Sequence, residues 1–182
     1  VNALLPDTLA QGILGMPFGS PDMIGGGEYL NFQENSDRLD EELFVRHGEI
    51  ACLLPVMQFS AAPWRVLKKE NFEKVRECVR TRENYSAYIE RVWHHAEETG
   101  EPIVRYMEYE FPGQGMEQVN TQFMLGDRLL VAPICEKGKN SRYVDLPEGK
   151  WEQEDHTVLD GGKRIILDGK PGHPICLWKI ED

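Results

Sequence analysis

The sequence predicts an α/β fold over residues 1–100 and an antiparallel β fold over residues 101–182. In the first part, stretches with a helical spacing of apolar residues alternate with short apolar runs. In the second part, strand-length segments follow one another, separated by turn sequences such as Leu146-Pro147-Glu148-Gly149. The change of pattern near Gly100 predicts two structural units that join there.

A first helix is predicted near the start of the chain. Leu5, Leu9 and Ile13 recur at a spacing of four residues, which places them on one helix face. Pro6 suits the first turn of such a helix, and Gly15 lies just past its end. An apolar run at residues 16–20 then predicts a short strand.

Two further helices and a second strand are predicted before residue 100. Ser36 or Asp37 is expected to cap the second helix. A run at residues 53–60 predicts the strand, and residues 68–98 predict a helix in two pieces with a break near residues 80–84. The buried face of the second helix is predicted to hold Leu39, Leu43, His47, Ile50 and Ala51.

Short strands fill the second predicted unit. Residues 129–132 are apolar enough to be buried on both faces of a sheet, and Asp160-Gly161-Gly162 predicts a hairpin turn. The predicted strands are residues 102–107, 128–134, 142–146, 157–159, 164–167 and 175–180.

The charge balance and hydropathy exclude several classes of partner. The chain has 31 acidic and 20 basic residues, for a net charge of −11, which argues against nucleic acid and anionic membrane surfaces. An apolar run of about 18 residues, as a membrane span needs, is absent from the sequence.

The cysteines and histidines predict neither a metal site nor a cofactor site. The four cysteines are scattered in apolar surroundings, which favours buried free thiols and slightly favours the cytoplasm. The adjacent pair His94 and His95 would point about 100° apart on a helix, so the two side chains are not expected to bind one ion. The cysteines are Cys52, Cys78, Cys135 and Cys176.

The run Pro21-Asp22-Met23-Ile24-Gly25-Gly26-Gly27 is the first candidate site. A carboxylate that follows an apolar strand lies at the rim of a sheet, where α/β folds place their chemistry. The glycines let the backbone approach a ligand or another loop closely. Asp22 can equally bond its own backbone in a turn, so both interpretations stay open.

In their order along the chain, several segments resemble glycoside hydrolase family 31, which comprises α-glucosidases, α-xylosidases and related α-glycosidases. Single segments match weakly, but the ordered set is specific and spans most of the chain. The sequence of residues 55–64 most resembles the branch of this family that contains the myogenesis-regulating glycosidase. The matching segments are residues 15–18, 21–26, 41–46, 54–60, 62–64, 95–105, 122–127, 130–133 and 146–151.

The resemblance implies the C-terminal portion of a (β/α)8 TIM barrel in residues 1–100, followed by an antiparallel β-sandwich in residues 101–182. Two helix–strand units are too few for a closed barrel, which takes about 250 residues. The rest of the barrel is therefore expected to be needed for a complete fold. Family members retain anomeric configuration with two aspartates on earlier barrel strands, so we expect no catalytic residue here and an inactive fragment. No cofactor is implied.

The resemblance also implies four substrate-binding residues for an α-linked glycoside or oligosaccharide. Asp22 matches a position in the sugar subsite, although a structural cap on the glycine loop is the alternative. Gln58 and Ser60 stand where many members have an arginine and a histidine, which weakens the case for plain α-glucosides as substrates and leaves α-galactosides and α-xylosides open. Trp64 is expected to stack on a sugar ring or, alternatively, to fill the core.

Two other functions are weighed beside the glycosidase. A non-enzymatic carbohydrate-binding module is one, but a sugar platform usually needs several coplanar aromatic rings, and the second part offers mainly Trp151 and Trp178. A regulatory member of the same family is the other. The two catalytic aspartates upstream would distinguish an enzyme from both.

Overall fold

The structure is a computed structural model that describes residues 3–26 and 39–180. Four of the five helices in the described residues lie before residue 100. The helices are α1 (Leu4–Ile13), α2 (Glu41–Ala51), α3 (Pro63–Val66), α4 (Lys69–Thr99) and, after residue 100, the short α5 (Met107–Glu110).

The described residues contain eight strands, and all of their pairings are antiparallel. Six strands form one sheet in the order β1-β2-β3-β8-β5-β6, and β4 pairs with β7 in a separate two-stranded ribbon. The predicted antiparallel β part is confirmed, but β2 and β5 were not among the predicted strands. The strands are β1 (Val104–Arg105), β2 (Phe123–Leu125), β3 (Leu129–Ala132), β4 (Ser141–Leu146), β5 (Lys150–Gln153), β6 (Val158–Asp160), β7 (Lys163–Asp168) and β8 (Ile175–Ile180).

The six-stranded sheet separates two hydrophobic cores, because successive side chains of a strand point to opposite faces. The helix-side core contains Leu129 and Val131 of β3, packed with residues of α1 and α4. The ribbon-side core contains Leu130 and Ala132, packed with residues of β4 and α5. All four side chains of β3 are 0% exposed, which confirms the prediction that this strand is buried on both faces.

The turn at residues 160–162 joins two sheets, so the predicted hairpin there is wrong. β6 pairs with β5, whereas β7 pairs with β4. The chain thus crosses from the sheet to the ribbon at residues 160–162, and it crosses from the ribbon to the sheet between β4 and β5. The N–H of Gly161 donates to the carbonyl of Gly149 (2.8 Å), so these two crossings lie side by side. A Cβ atom on Gly161 would lie 1.8 Å from the carbonyl oxygen of Pro147, so the position admits no side chain.

Helix α4 is continuous over 31 residues, and the predicted break near residues 80–84 is wrong. The polar residues there make tertiary contacts instead. Thr81 is buried and its hydroxyl lies 3.2 Å from Nδ1 of His173. Arg82 donates to the carbonyls of Leu54 (2.7 Å) and Pro55 (2.8 Å). Gly100 follows the last turn of the helix with φ of 76°.

Helix α2 begins later than predicted. Its N-cap is Asp40, whose carboxylate accepts from the N–H of Leu43 (3.1 Å); the predicted caps, Ser36 and Asp37, lie outside the described residues. The predicted buried face is correct for Ile50 and Ala51. It is wrong for Leu43, which is 48% exposed, and it missed Phe44 and Val45, which are buried.

The two strands predicted in the first part are largely absent from the described residues. Residues 16–20 contain a turn at residues 17–18 and no strand, and Phe18 packs on Trp93 with ring centroids 4.5 Å apart. Residues 52–55 form a turn whose carbonyls accept from Arg82, so they need no strand partner. What remains is one parallel bridge between Ile24 and Phe59. The described residues therefore do not show a barrel portion.

Candidate functional site

The bridge between Ile24 and Phe59 brings two predicted site segments together. The N–H of Ile24 donates to the carbonyl of Gln58 (2.8 Å), and the N–H of Ser60 donates to the carbonyl of Ile24 (3.0 Å). Residues 22–26, called the Asp22 turn below, therefore lie directly beside Gln58 and Ser60. Ile24 itself is fully buried. Gly27, the last glycine of the run, lies outside the described residues.

The carboxylate of Asp22 is exposed and bonds its own neighbour. Its Oδ1 accepts from the N–H of Met23 (2.8 Å), as expected of an acid in a turn. Gly26 lies close to the same carboxylate, since a Cβ atom there would lie 2.8 Å from Oδ2. The N–H of Gly26 closes the turn on the carbonyl of Met23 (2.8 Å). This geometry is compatible with both interpretations of Asp22, because a carboxylate accepts several hydrogen bonds.

Gln58 and Ser60 are both exposed, on either side of the partly buried Phe59. The ring of Phe59 stacks with Phe44 of α2 at a centroid distance of 6.2 Å. The hydroxyl of Ser60 donates to the carbonyl of Ile24 (3.1 Å), which directs its hydrogen to the backbone while its lone pairs still accept. Gln58 therefore offers the more adaptable polar group of the two.

Trp64 lies in α3 and is 69% exposed. The described residues leave its ring uncovered, so the sugar-stacking and the barrel-core interpretations of Trp64 both stay predictions. Its ring offers a broad apolar surface with an N–H at one edge, the kind of surface on which a sugar ring stacks.

His47 of α2 contacts the Asp22 turn, a contact that was not predicted from the sequence. Its Nε2 lies 2.9 Å from the carbonyl oxygen of Asp22, and because a carbonyl only accepts, Nε2 is the donor. Burial lowers the pKa of His47. The sequence signal was present, since His47 falls at helical spacing on the predicted buried face of α2, but its partner lies 25 residues away.

Acidic residues at the start of α2 have structural partners. Asp40 forms an ion pair with Lys137. Glu41 accepts from the N–H of Lys68 (2.9 Å) and from Nδ2 of Asn71 (2.8 Å), which joins α2 to the start of α4. The hydrogen bond from Asn71 is the main reason that the pKa of Glu41 lies below its usual value.

The other candidate ligands fall into ordinary contacts. Nδ1 of His94 lies 2.9 Å from a carboxylate oxygen of Glu97, and that hydrogen bond raises the pKa of His94. The cysteines carry no disulfide; Cys135 is half-buried and the other three are buried. Among residues 3–26 and 39–180, no group of three His, Cys, Asp or Glu side chains is placed to hold a metal ion. No helix in those ranges is long and apolar enough to cross a membrane.

Sequence comparison places the chain beside glycosidases. A profile described as "Glycosyl hydrolase family 31 C-terminal domain" matches residues 100–177. The myogenesis-regulating glycosidase of Mus musculus is 33% identical over 99% of the chain, and an α-glucosidase of Saccharolobus solfataricus is 33% identical over 95%. A SITS-binding protein of Tetronarce californica is 32% identical over 99% of the chain. The chain spans only 25% of the length of each of these relatives.

Solved structures share the fold. A variant of the GH31 dextranase of Flavobacterium johnsoniae, complexed with isomaltotriose, matches with a TM-score of 0.83 and 26% identity, over 96% of this chain and 22% of that one. A GH31 α-xylosidase from a soil metagenome, complexed with xylose, matches with a TM-score of 0.79 and 25% identity. That match covers 94% of this chain and 29% of the xylosidase. These likenesses therefore extend over both predicted units.

Proposed function

Because this chain belongs to glycoside hydrolase family 31, we propose that it is part of a retaining α-glycosidase that hydrolyses terminal α-linked sugars. The extent of the sequence likeness carries the proposal. The match to the Mus musculus glycosidase covers 99% of the chain, so it includes the Asp22 turn as well as the strands.

In the proposed reaction, two carboxyl groups about 5–5.5 Å apart divide the chemistry. One attacks the anomeric carbon, and the other protonates the leaving oxygen and then activates water. Both aspartates lie in the rest of the barrel, so this chain alone is inactive and none of its residues is assigned to the chemical step. Two carboxyl groups suffice for this reaction, and it needs neither a metal nor an organic cofactor.

Within the whole protein, residues 1–100 are proposed to supply the last helix–strand units of a (β/α)8 barrel and residues 101–182 a β-sandwich. The parallel bridge supports this, because α2 connects Ile24 to Phe59 in the manner of a βαβ crossover. Exposed apolar residues that follow α1 support it too. Leu14 is 74% exposed and Met16 is 58% exposed, as expected of a surface that the rest of the barrel covers.

Four residues are proposed to line the sugar-binding site. Asp22 and Gln58 are exposed polar groups on neighbouring segments and are suited to bind sugar hydroxyls. Ser60 offers an acceptor at the same bridge, and Trp64 offers an exposed ring for stacking. The structural alternative for Asp22 predicts instead that its carboxylate matters only for the turn.

A regulatory or carbohydrate-binding role without hydrolysis is the second candidate. Two relatives that match 99% of the chain favour it by their names, one of which describes regulation of myogenesis and the other binding of SITS. In that case the aspartates that perform the reaction are absent from the whole protein.

The test is the hydrolysis of a panel of nitrophenyl α-glycosides by the full-length protein. We expect turnover of at least one α-glycoside with retention of configuration. Asp22→Asn should lower kcat/KM about 10-fold to 100-fold, since a hydrogen bond to a charged group contributes about 1.5–3 kcal/mol. Asp168→Asn, an exposed aspartate at the end of β7, is the matched control and should leave kcat/KM unchanged. A folded protein without turnover on the whole panel would favour the regulatory role.

A further inference from the structure

A single peptide unit connects His47 to the carboxylate of Asp22. This unit joins Asp22 to Met23, so it carries the carbonyl oxygen of Asp22 at one end and the N–H of Met23 at the other. The carbonyl accepts from Nε2 of His47 (2.9 Å). The N–H donates to Oδ1 of Asp22 (2.8 Å). Both hydrogen-bonding groups of the unit are therefore in use.

The planarity of the peptide links these two bonds. A peptide unit rotates as one plane, so a carbonyl that turns away from His47 carries the N–H of Met23 with it. The carboxylate of Asp22 then loses the donor that fixes its orientation. We propose that His47 is a positioning residue, which orients the Asp22 carboxylate in the sugar-binding site through this peptide unit. The inference rests on the proposed function.

Helix α2 holds the turn at a second point. Gly25 has φ of 78°, and a Cβ atom there would lie 2.4 Å from Cε2 of Phe44. Phe44 and His47 are three residues apart and therefore share a helix face. The ring of Phe44 packs beneath Gly25 while His47 reaches the carbonyl of Asp22. One face of α2 thus determines both how closely the Asp22 turn approaches the helix and how the peptide between Asp22 and Met23 is oriented.

Helix α2 is itself held in place by residues near His47, which contact two loops between the β strands. Arg46 and Glu49 are buried and paired at 2.9 Å. Glu49 also accepts from the N–H of Gly172 (2.7 Å), and Arg46 donates to the carbonyl of Lys139 (2.5 Å). His47 therefore projects from a helix with little freedom to follow the turn. If the Asp22 turn moved, the hydrogen bond between His47 and the carbonyl of Asp22 would break, because the helix would not move with the turn.

The test compares two substitutions of His47 in the full-length enzyme. His47→Leu removes the donor at similar volume, whereas His47→Gln keeps a donor nitrogen at similar reach. We expect His47→Leu to lower kcat/KM about tenfold or more, since small misplacements in an active site cost up to about 100-fold. His47→Gln should restore most of the loss. His94→Gln, on the exposed face of α4, is the matched control and should change nothing.

A double-mutant cycle separates positioning from general support of the fold. If His47 acts through Asp22, then His47→Leu combined with Asp22→Asn should be no slower than Asp22→Asn alone. Additive losses would overturn the inference, as would a His47→Leu enzyme that works like the wild type. A wild-type protein without glycosidase activity would overturn the proposed function and the inference with it.

Discussion

The two cores on either side of the six-stranded sheet draw on different parts of the chain. The ribbon-side core is made of residues between Met107 and Leu177, so the second half of the chain supplies all of it. The helix-side core collects residues from Leu5 to Cys176, and thus needs both halves. One face of the sheet therefore packs in a core formed by residues close in sequence, called the local core below. The other face packs in a core formed by residues far apart in sequence.

The polar contacts that cross each core differ in the same way. On the ribbon side, the buried side chain of Gln122 donates to the carbonyl of Asp145 (2.8 Å) and accepts from its N–H (2.9 Å). On the helix side, Glu49 of the buried pair with Arg46 accepts from the N–H of Gly172 in the other half of the chain. The contact of Gln122 therefore stays within the second half, whereas the charged junction at Glu49 joins the two halves. Buried charges are destabilising unless paired, so this junction depends on its partners.

The largest expected effect concerns the closure of the local core. Gly161→Ala places a Cβ atom where the carbonyl oxygen of Pro147 lies, so the two crossings between sheet and ribbon must separate. We expect a loss of roughly 4 kcal/mol or more in the free energy of unfolding. Calorimetry of the intact protein measures it. Gly138→Ala is the control for a loop glycine, since a Cβ atom there meets no other atom within 4 Å and adds only the strain of a φ of 72°, about 1–2 kcal/mol. A Gly161→Ala protein as stable as the control would contradict the account of the crossing.

The next test removes one large side chain from each core. Trp151 on the ribbon side and Phe123 on the helix side are both 0% exposed, and truncation of either to alanine should cost about 3–5 kcal/mol. The consequences should differ. Phe123→Ala should increase hydrogen exchange along α4, whereas Trp151→Ala should leave α4 protected. Equal exchange of α4 in both variants would show that the two cores are not separate.

A smaller effect concerns pH at the charged junction. Burial raises the pKa of Glu49, against the opposing influence of Gly172 and Arg46. Because the folded state then holds the proton more tightly than the unfolded state, its contribution to stability is complete below the ordinary pKa of 4.5 and falls as the pH rises towards the folded pKa. Glu49→Gln should remove this fall from the plot of unfolding free energy against pH. Gln122→Ala, which lacks a titrating group, should keep it.

The smallest effect is expected on the outer face of the ribbon. Arg164 and Asp145 form an exposed ion pair at 2.7 Å across β4 and β7. Exposed pairs contribute little because water and salt screen them. Arg164→Ala should therefore leave the melting temperature unchanged within the error of the measurement. A clear decrease would mean that the ribbon depends on its outer face as well as on the core beneath it.

Local signals in the sequence predicted much of the second half and less of the first. The run at residues 129–132 predicted a strand buried on both faces, because such burial leaves no polar alternation. The glycines at 161 and 162 predicted a turn but not which strands it joins, since turn chemistry is the same within and between sheets. The strand predicted at residues 53–60 does not form at its start, because Arg82 of α4 donates to the carbonyls of Leu54 and Pro55.

The candidate site was predictable in part for the same reason. The acid and the glycines identified the Asp22 turn, and the resemblance identified Gln58, Ser60 and Trp64, whose roles stay predictions. His47 could not be assigned, because its bond to Asp22 joins residues that only the tertiary structure brings together. A helical spacing of residues predicts which side chains are buried, but it does not predict which residues they contact.

The alternation of side chains along β3 also bears on how substitutions combine. Leu130 and Val131 are joined by a peptide bond, yet they pack in different cores. Their substitutions should therefore be close to additive in free energy, because the two side chains belong to different cores. Val131 and Leu9 are far apart in sequence but share a core, and their effects are free to couple. Epistasis in this protein should alternate from one residue to the next along a strand, so that separation along the chain is a poor guide to which mutations compensate one another.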